Sequence, residues 1–124
     1  DNKYVRLLDC KPNAVFINVT EGDKAILDKR WPQLEDTVEY GLTKQPFWKK
    51  QYIRHGTCCD NMYTQEAYFN LAIKLKDRFD ILKALGDQGI IPGNKYVVKV
   101  IKNIISRVTL QPPKLMCIQN SQGL

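Results

Sequence analysis

The sequence predicts one α+β domain over residues 1–124. Through the middle of the chain, apolar residues recur at steps of three or four, the spacing of amphipathic helices. Short apolar segments bounded by turn residues lie nearer the two ends and are typical of strands. No internal repeat, low-complexity tract or domain boundary interrupts the sequence, so we expect a single core.

The N-terminal part of the chain is predicted to hold short elements between exposed loops. Val15–Val19 has the pattern of a strand-like piece. Asp23 can cap a short helix, which stops before Pro32 because proline disfavours helical backbone in the residue preceding it. Leu34–Lys44 is predicted to be irregular.

Longer elements are predicted in the rest of the chain. Gln45–His55 is predicted to be a helix, with a proline in its first turn and a glycine directly after its last residue. Thr64–Leu85 is predicted to be the longest helix, with Thr64 as its N-cap. Asn94 can cap a further helix, and Leu115–Ile118 is predicted to be the terminal strand.

The composition narrows the class of partner. Nineteen basic against 13 acidic residues give a net charge of +6 and a pI near 9.2. A positive chain of this kind favours polyanionic partners, among them RNA and DNA. No apolar run approaches the roughly 18–20 residues that span a bilayer, so we expect no membrane partner.

The four cysteines predict disulfides rather than a metal site. Their spacing does not give the two close ligand pairs of a zinc site, and adjacent cysteines rarely bond to each other. Long-range disulfides indicate an oxidising compartment. Asn18 begins an Asn-Val-Thr glycosylation sequon, which agrees with a secreted, extracellular protein. The cysteines are Cys10, Cys58, Cys59 and Cys117.

The chemically richest stretch is residues 47–59, FWKKQYIRHGTCC. On a helix, Gln51 and His55 lie four residues apart on one face, and Lys50 and Arg54 form an adjoining strip. Cations and amide donors around an imidazole suit an anionic phosphoryl transition state. RNA carries its own nucleophile, the 2′-OH, so its cleavage needs a base, an acid and cations but no metal or cofactor. His55 is the sole histidine, so a second proton-transfer group is not evident.

Plainer interpretations compete with a catalytic one. A lone histidine beside lysine and arginine is more often an ordinary surface residue. A cysteine protease would use Cys58 or Cys59, but a disulfide-rich secreted chain ties up its thiols. A zinc site formed by His55 with those two cysteines lacks a fourth ligand. The aromatic residues more often form core than a base-stacking surface; they are Phe47, Trp48 and Tyr52.

Residues 47–59 resemble the second active-site motif of the ribonuclease T2 family, specifically of the self-incompatibility S-RNases of flowering plants. The resemblance continues through residues 67–71, 76–77 and 89–93 and covers essentially the whole chain. It implies a ribonuclease T2-like fold, with an antiparallel sheet core and several packed helices, incomplete at both ends. It also implies a secreted endoribonuclease that makes 2′,3′-cyclic phosphates and acts as a style self-incompatibility factor.

The resemblance assigns roles to individual residues. His55 would be the base that removes the 2′-OH proton, and its partner histidine would precede the first residue, in a His-Gly-Leu-Trp-Pro motif. Arg54, where the family usually has lysine, would stabilise the phosphate charge, and Lys50 would contact phosphate. Gln51 stands where many members carry glutamate and can donate a hydrogen bond but cannot shuttle a proton. Phe47 matches an aromatic residue of a base subsite, with core packing as the rival role.

The resemblance also implies covalent and recognition features. Cys10 would pair with Cys58, while Cys117 resembles a cysteine whose partner lies further C-terminal; the remaining cysteine stays unassigned. The loops Lys11–Lys24 and Leu34–Lys44 resemble the variable regions that carry allele identity. They imply a pollen recognition protein as a second partner, besides the RNA substrate, of a monomeric protein.

Two alternatives stay open, one within the family and one of another functional class. A stress or housekeeping ribonuclease is one, against which the adjacent cysteines and the Ile91-Pro92-Gly93 turn favour the S-type. A catalytically impaired RNA-binding relative is the other, motivated by Gln51. We also expect the 124-residue piece alone to be inactive and poorly folded, because it lacks the first active-site motif.

Overall fold

The structure, a computed structural model, describes residues 7–116. Six α-helices and one 3₁₀ turn (Gly56–Cys59) account for the regular secondary structure of this part of the chain. None of these helices is both long and apolar enough to cross a membrane. The helices are α1 (Glu21–Arg30), α2 (Val38–Lys44), α3 (Pro46–Arg54), α4 (Gln65–Arg78), α5 (Ile81–Gly86) and α6 (Val98–Thr109).

The chain divides into two compact units, one reaching to Leu75 and the other starting at Lys76. That residues 1–124 form one domain stays a prediction.

The core of the first unit is built around α3. Its buried residues are Leu27, Trp48, Tyr52 and Phe69. The Trp48 indole N–H donates to the carbonyl of Trp31 at 3.0 Å, so its polar atom is satisfied inside the core. Because α3 supplies two of the four core residues, its other faces are fixed relative to the rest of this unit.

The extended segment Val15–Val19 is not a strand, although its backbone hydrogen bonds imitate one. The Gln45 side chain accepts from the Val19 N–H at 2.7 Å and donates to its carbonyl at 3.0 Å. The Gln65 side chain does the same for Ile17, at 3.0 and 2.6 Å. The strand prediction is therefore wrong, because two glutamine amides occupy the place of a neighbouring strand.

The prediction that Leu34–Lys44 is irregular is wrong for its last seven residues, which form α2. Thr37 caps this helix by accepting from the Tyr40 N–H. Gly41 is buried because the Gln33 side chain packs directly on it, and a Cβ there would lie 2.3 Å from the Gln33 Nε2 atom. Glycine at this position is required by the close contact with Gln33, and it lies within a helix.

The helix predicted over Thr64–Leu85 is two helices in the structure. Thr64 accepts from the Ala67 N–H at 3.2 Å, at the start of α4. Asp80 then accepts from the Lys83 N–H at 2.9 Å and begins α5. The Asp80 carboxylate thus caps a new helix, and the helix breaks at this point although the apolar periodicity continues on both sides.

The helix predicted to be capped by Asn94 is α6, and its N-cap is Val97, three residues later. The Asn94 side chain donates instead to the Tyr96 hydroxyl at 3.4 Å. That hydroxyl also accepts from the Ile91 N–H and donates to the Gly89 carbonyl, so it organises the loop before the helix. Among the apolar side chains of α6, Ile104 is buried, whereas Val98 and Val100 are exposed.

The antiparallel sheet is not formed by the described residues. Leu115 and Met116 lie in no strand, and the rest of the predicted terminal strand lies outside the described residues.

Replacing Gln45 by alanine tests whether its side-chain hydrogen bonds to Val19 stabilise the extended segment. Gln45 is 2% exposed, and its loss leaves the Val19 backbone without partners, so we expect the free energy of unfolding to fall by about 2–3 kcal/mol. Urea unfolding of Gln45→Ala measures this.

The matched control is Gln65→Ala, whose two bonds are exposed and should cost about 1 kcal/mol or less. Equal losses in the two variants would contradict this view of the segment.

Candidate active site

One stripe of α3 holds all five residues assigned to catalysis and RNA binding. They recur at steps of three, one, three and one residues, which places them on a single helix face. Lys50 and Arg54 are exposed, while the other three are half-buried. The core residues Trp48 and Tyr52 lie on a different face of the helix. The stripe consists of Phe47, Lys50, Gln51, Arg54 and His55.

The backbone of His55 is fixed on both sides. Its N–H donates to the Gln51 carbonyl at 3.0 Å, as the last bond of α3, and its carbonyl accepts from the Cys58 N–H at 3.2 Å. Gly56 follows, and a Cβ at this glycine would lie 2.4 Å from the Tyr52 Cδ2 atom. The chain therefore turns directly against the Tyr52 ring of the core. This contact fixes the position of the backbone that carries the His55 side chain.

The segment Asp9–Lys11 fastens the end of α3 to the N-terminal part of the chain. The Asp9 N–H donates to the Arg54 carbonyl at 2.8 Å and so satisfies one of the helix's terminal acceptors. Cys10 and Cys58 form a disulfide with Cα atoms 5.0 Å apart, the pairing that the resemblance implies. We call this set of contacts, with those of Lys11 below, the helix-end clamp.

Lys11 completes the helix-end clamp with two contacts. Its N–H donates to the Thr57 hydroxyl at 3.3 Å, and its ammonium group pairs with the Asp60 carboxylate at 2.6 Å. Thr57 is 2% exposed and donates onward to the Ile53 carbonyl at 2.7 Å. Sequence reasoning missed Asp9, Thr57 and Asp60, because nothing in their local pattern marks them; only the cysteines signalled a contact here.

The polar side chains of the stripe have no hydrogen-bond or ion-pair partner among the described residues. These side chains are those of Lys50, Gln51, Arg54 and His55. Phe47 differs, since its ring meets the Trp31 ring edge-on at 6.1 Å and borders the core. The stripe thus offers two cations, an amide and an imidazole beside a packed aromatic ring.

Two tyrosines near the helix end are poor second proton-transfer groups. Burial raises the pKa of Tyr52, with electrostatic interactions from Asp60 and Cys59 adding to the effect and Lys11 opposing it. Burial, and then Cys59, raise the pKa of Tyr68. Proton transfer at neutral pH favours a pKa near 7, so neither phenol suits that task.

The cysteine and metal alternatives find no support in the geometry. Cys58 is held in the disulfide, and the Cys59 thiol donates to the Gly56 carbonyl at 3.2 Å. The described residues contain no group of three side chains arranged to hold a metal ion. Asn18 of the sequon is exposed in the extended segment, where a glycan has access.

The chain belongs to the ribonuclease T2 family, whose model matches residues 2–124. Among its relatives, ribonuclease S-F11 of Nicotiana alata is 42% identical over 123 residues, which are 99% of this chain and 63% of that protein. Ribonuclease S-2 of Solanum tuberosum is 47% identical over 110 residues, 88% of this chain and 49% of that protein. The chain therefore spans between about half and two thirds of the length of these relatives.

Two solved structures share the fold of this chain. The self-incompatibility-associated SF11-RNase of Nicotiana alata superposes with a TM-score of 0.91 at 42% identity, covering 99% of this chain and 63% of that one. RNase NT, solved in complex with 5′-AMP, has a TM-score of 0.72 at 24% identity, covering 94% and 56%. The fold is ribonuclease T2-like, and the similarity to S-RNases that the motif indicated is confirmed.

Gly56→Ala tests the close turn after the imidazole. The new Cβ must displace the buried Tyr52 ring, so we expect a loss of about 1–3 kcal/mol in the free energy of unfolding. Urea unfolding, with the tyrosine near-ultraviolet dichroism as a second readout, measures the effect.

Gly22→Ala is the matched control, since no atom lies within 4 Å of a Cβ there. It should leave stability unchanged or raise it by up to about 1 kcal/mol. The close turn would be disproved by a Gly56→Ala protein as stable as the control.

Proposed function

We propose that the protein is an endoribonuclease that cleaves single-stranded RNA through a 2′,3′-cyclic phosphate. The observation that carries the proposal is the α3 stripe, in which one half-buried imidazole ends a helix face that also presents two unpaired cations. Family membership supports the same reaction. RNA supplies the nucleophile, so this arrangement needs no resident cofactor.

In the proposed reaction, His55 accepts the proton of the ribose 2′-OH. The 2′-oxygen then forms a bond to phosphorus, and the bond from phosphorus to the 5′-oxygen breaks. The leaving 5′-oxygen takes a proton from an acid, a role that the resemblance gives to a histidine of the His-Gly-Leu-Trp-Pro motif, which residues 1–124 do not contain. The products are a 2′,3′-cyclic phosphate and a 5′-hydroxyl end.

The other stripe residues act on the phosphate and the base. Lys50 and Arg54 stabilise the charge that builds on the phosphate oxygens, where arginine can bind two oxygens at once. Gln51 donates a hydrogen bond to phosphate and moves no proton. The exposed edge of Phe47 borders a base, while its other side packs on Trp31.

We propose further that the protein acts in self-incompatibility. This part rests on relatives named S-RNases and on the S-type features of the sequence. The protein is then a secreted, monomeric glycoprotein of the style, carrying a glycan on Asn18 and recognised by a pollen protein through the loops of its first unit. Residues 1–124 belong to a single ribonuclease T2-like domain.

His55→Ala in the full-length protein tests the catalytic assignment. Loss of a general base costs about 10²–10⁴-fold, so kcat/KM for a dinucleoside monophosphate should fall by that factor. Release of the cyclic phosphate product, followed by chromatography, is the measurement.

The matched control is Lys49→Ala, an exposed residue of α3 outside the stripe, which should change the rate by less than about twofold. Normal cleavage by His55→Ala would remove His55 from the mechanism. A wild-type protein that binds RNA without producing cyclic phosphate would favour the impaired relative that Gln51 suggests.

A further inference from the structure

The positive charge of the protein is concentrated away from the α3 stripe in sequence. Residues 7–75 contain nine basic and nine acidic side chains, whereas residues 76–116 contain eight basic and three acidic ones. After Asp87, no acidic residue occurs up to residue 124. The net charge of +6 therefore arises almost entirely in the second unit.

Helix α6 presents much of this charge on one face. Lys99, Lys102, Asn103 and Arg107 are exposed and recur at helical spacing, and we call them the basic face. With a rise of 1.5 Å per residue, its three cations extend over about 12 Å of the helix axis. Lys95 adds a fourth exposed cation shortly before the helix begins.

The cations of the basic face are not used for internal ion pairs. Within the part of the chain that the structure describes, Lys99, Lys102 and Arg107 have no carboxylate partner. Elsewhere the same fold does pair its lysines, as Lys83 pairs with Asp87 at 2.5 Å. A solvent-exposed helix face gains stability from glutamate four residues from lysine, yet α6 contains no acidic residue. The pattern is that of a surface whose counter-charge comes from a partner.

We propose that the basic face of α6 is an exosite for the phosphate backbone of single-stranded RNA. The inference rests on the proposed function and extends it. It predicts that the preferred substrate is a long RNA, which reaches beyond the two nucleotides joined by the cleaved bond. Phosphate contacts by lysine and arginine bind any sequence, so the exosite adds affinity without base preference.

An anionic membrane surface fits this helix less well than RNA does. A helix that lies on a membrane inserts its apolar face into the lipid. On α6 the middle of that face is buried, with Ile104 only 7% exposed, although Val98 and Val100 near the start of the helix are each 45% exposed. The continuous charged surface of α6 is its polar face.

Binding to a non-cleavable RNA tests the exosite independently of catalysis. The probe is a fluorescent, fully 2′-O-methylated 20-nucleotide single strand, which lacks the nucleophile, and the protein is full-length Lys99→Gln/Lys102→Gln. Each phosphate contact on a single strand contributes about 0.7 to the slope of log K against log salt, so the slope should decrease in magnitude by about 1.4. Anisotropy titrations at several salt concentrations measure the slope.

The matched control is Lys29→Gln/Lys44→Gln, which removes two exposed lysines from the first unit and should leave the slope unchanged. Equal slopes for wild type and the α6 variant would overturn the exosite. So would an α6 variant that loses binding to phosphatidylserine vesicles while keeping its affinity for the RNA.

Cleavage kinetics separate this inference from the proposed function. With the exosite in place, the α6 variant loses kcat/KM on a long RNA but cleaves a dinucleoside monophosphate like wild type. If the α6 variant cleaves both the dinucleoside monophosphate and the long RNA like wild type, the exosite is refuted and the proposed function is not. If the wild-type protein cleaves neither substrate, the proposed function is refuted. The salt dependence of RNA binding then still decides whether the basic face binds RNA.

Discussion

The helix-end clamp is the constraint on which the rest of the first unit depends. The segment Asp9–Lys11 meets the end of α3 and the 3₁₀ turn through one backbone bond, one disulfide, one hydroxyl contact and one ion pair. The disulfide joins residues 48 apart, which in the chain-entropy model contributes about 4 kcal/mol. Because these contacts converge on residues 54–60, they restrain the backbone from which His55 projects.

The clamp also explains how a short helix can present polar groups without internal partners. On one face of α3, Trp48 and Tyr52 are buried in the core, so the helix cannot rotate. At its end, Gly56 allows the following turn to pack directly against the Tyr52 ring. With its axis and its end both fixed, the stripe is held in place by groups that do not belong to it, as a preorganised site requires.

The local features of this site could be predicted from sequence, because they depend only on helical spacing. The helix over residues 45–55, its proline start and the shared face of Gln51 and His55 follow from periodicity and capping rules. The disulfide partner of Cys10 came from resemblance, since spacing alone does not choose among pairings. The clamp's hydrogen bonds could not be foreseen, because they join residues that are far apart in sequence.

The wrong predictions have two physical causes: side chains from outside the segment made unexpected contacts in two cases, and a local helix cap intervened in the third. Val15–Val19 is extended as its pattern indicates, but Gln45 and Gln65 supply the bonds of a missing strand. Within the segment Leu34–Lys44, which was predicted to be irregular, the missing side chain of Gly41 makes room for Gln33 against a helix. Asp80 interrupts an apolar repeat whose period continues on both sides of the break, so periodicity could not show the cap.

Native-state hydrogen exchange of the Asp9 amide tests the clamp most directly. This amide lies in an irregular segment, so the Arg54 carbonyl is its only protection within the described residues. If the clamp fixes the end of α3, the Asp9 amide should exchange only through the opening that also exposes the amide of the buried core residue Trp48. Exchange of Asp9 near the rate of an unstructured peptide, with Trp48 still protected, would contradict the account.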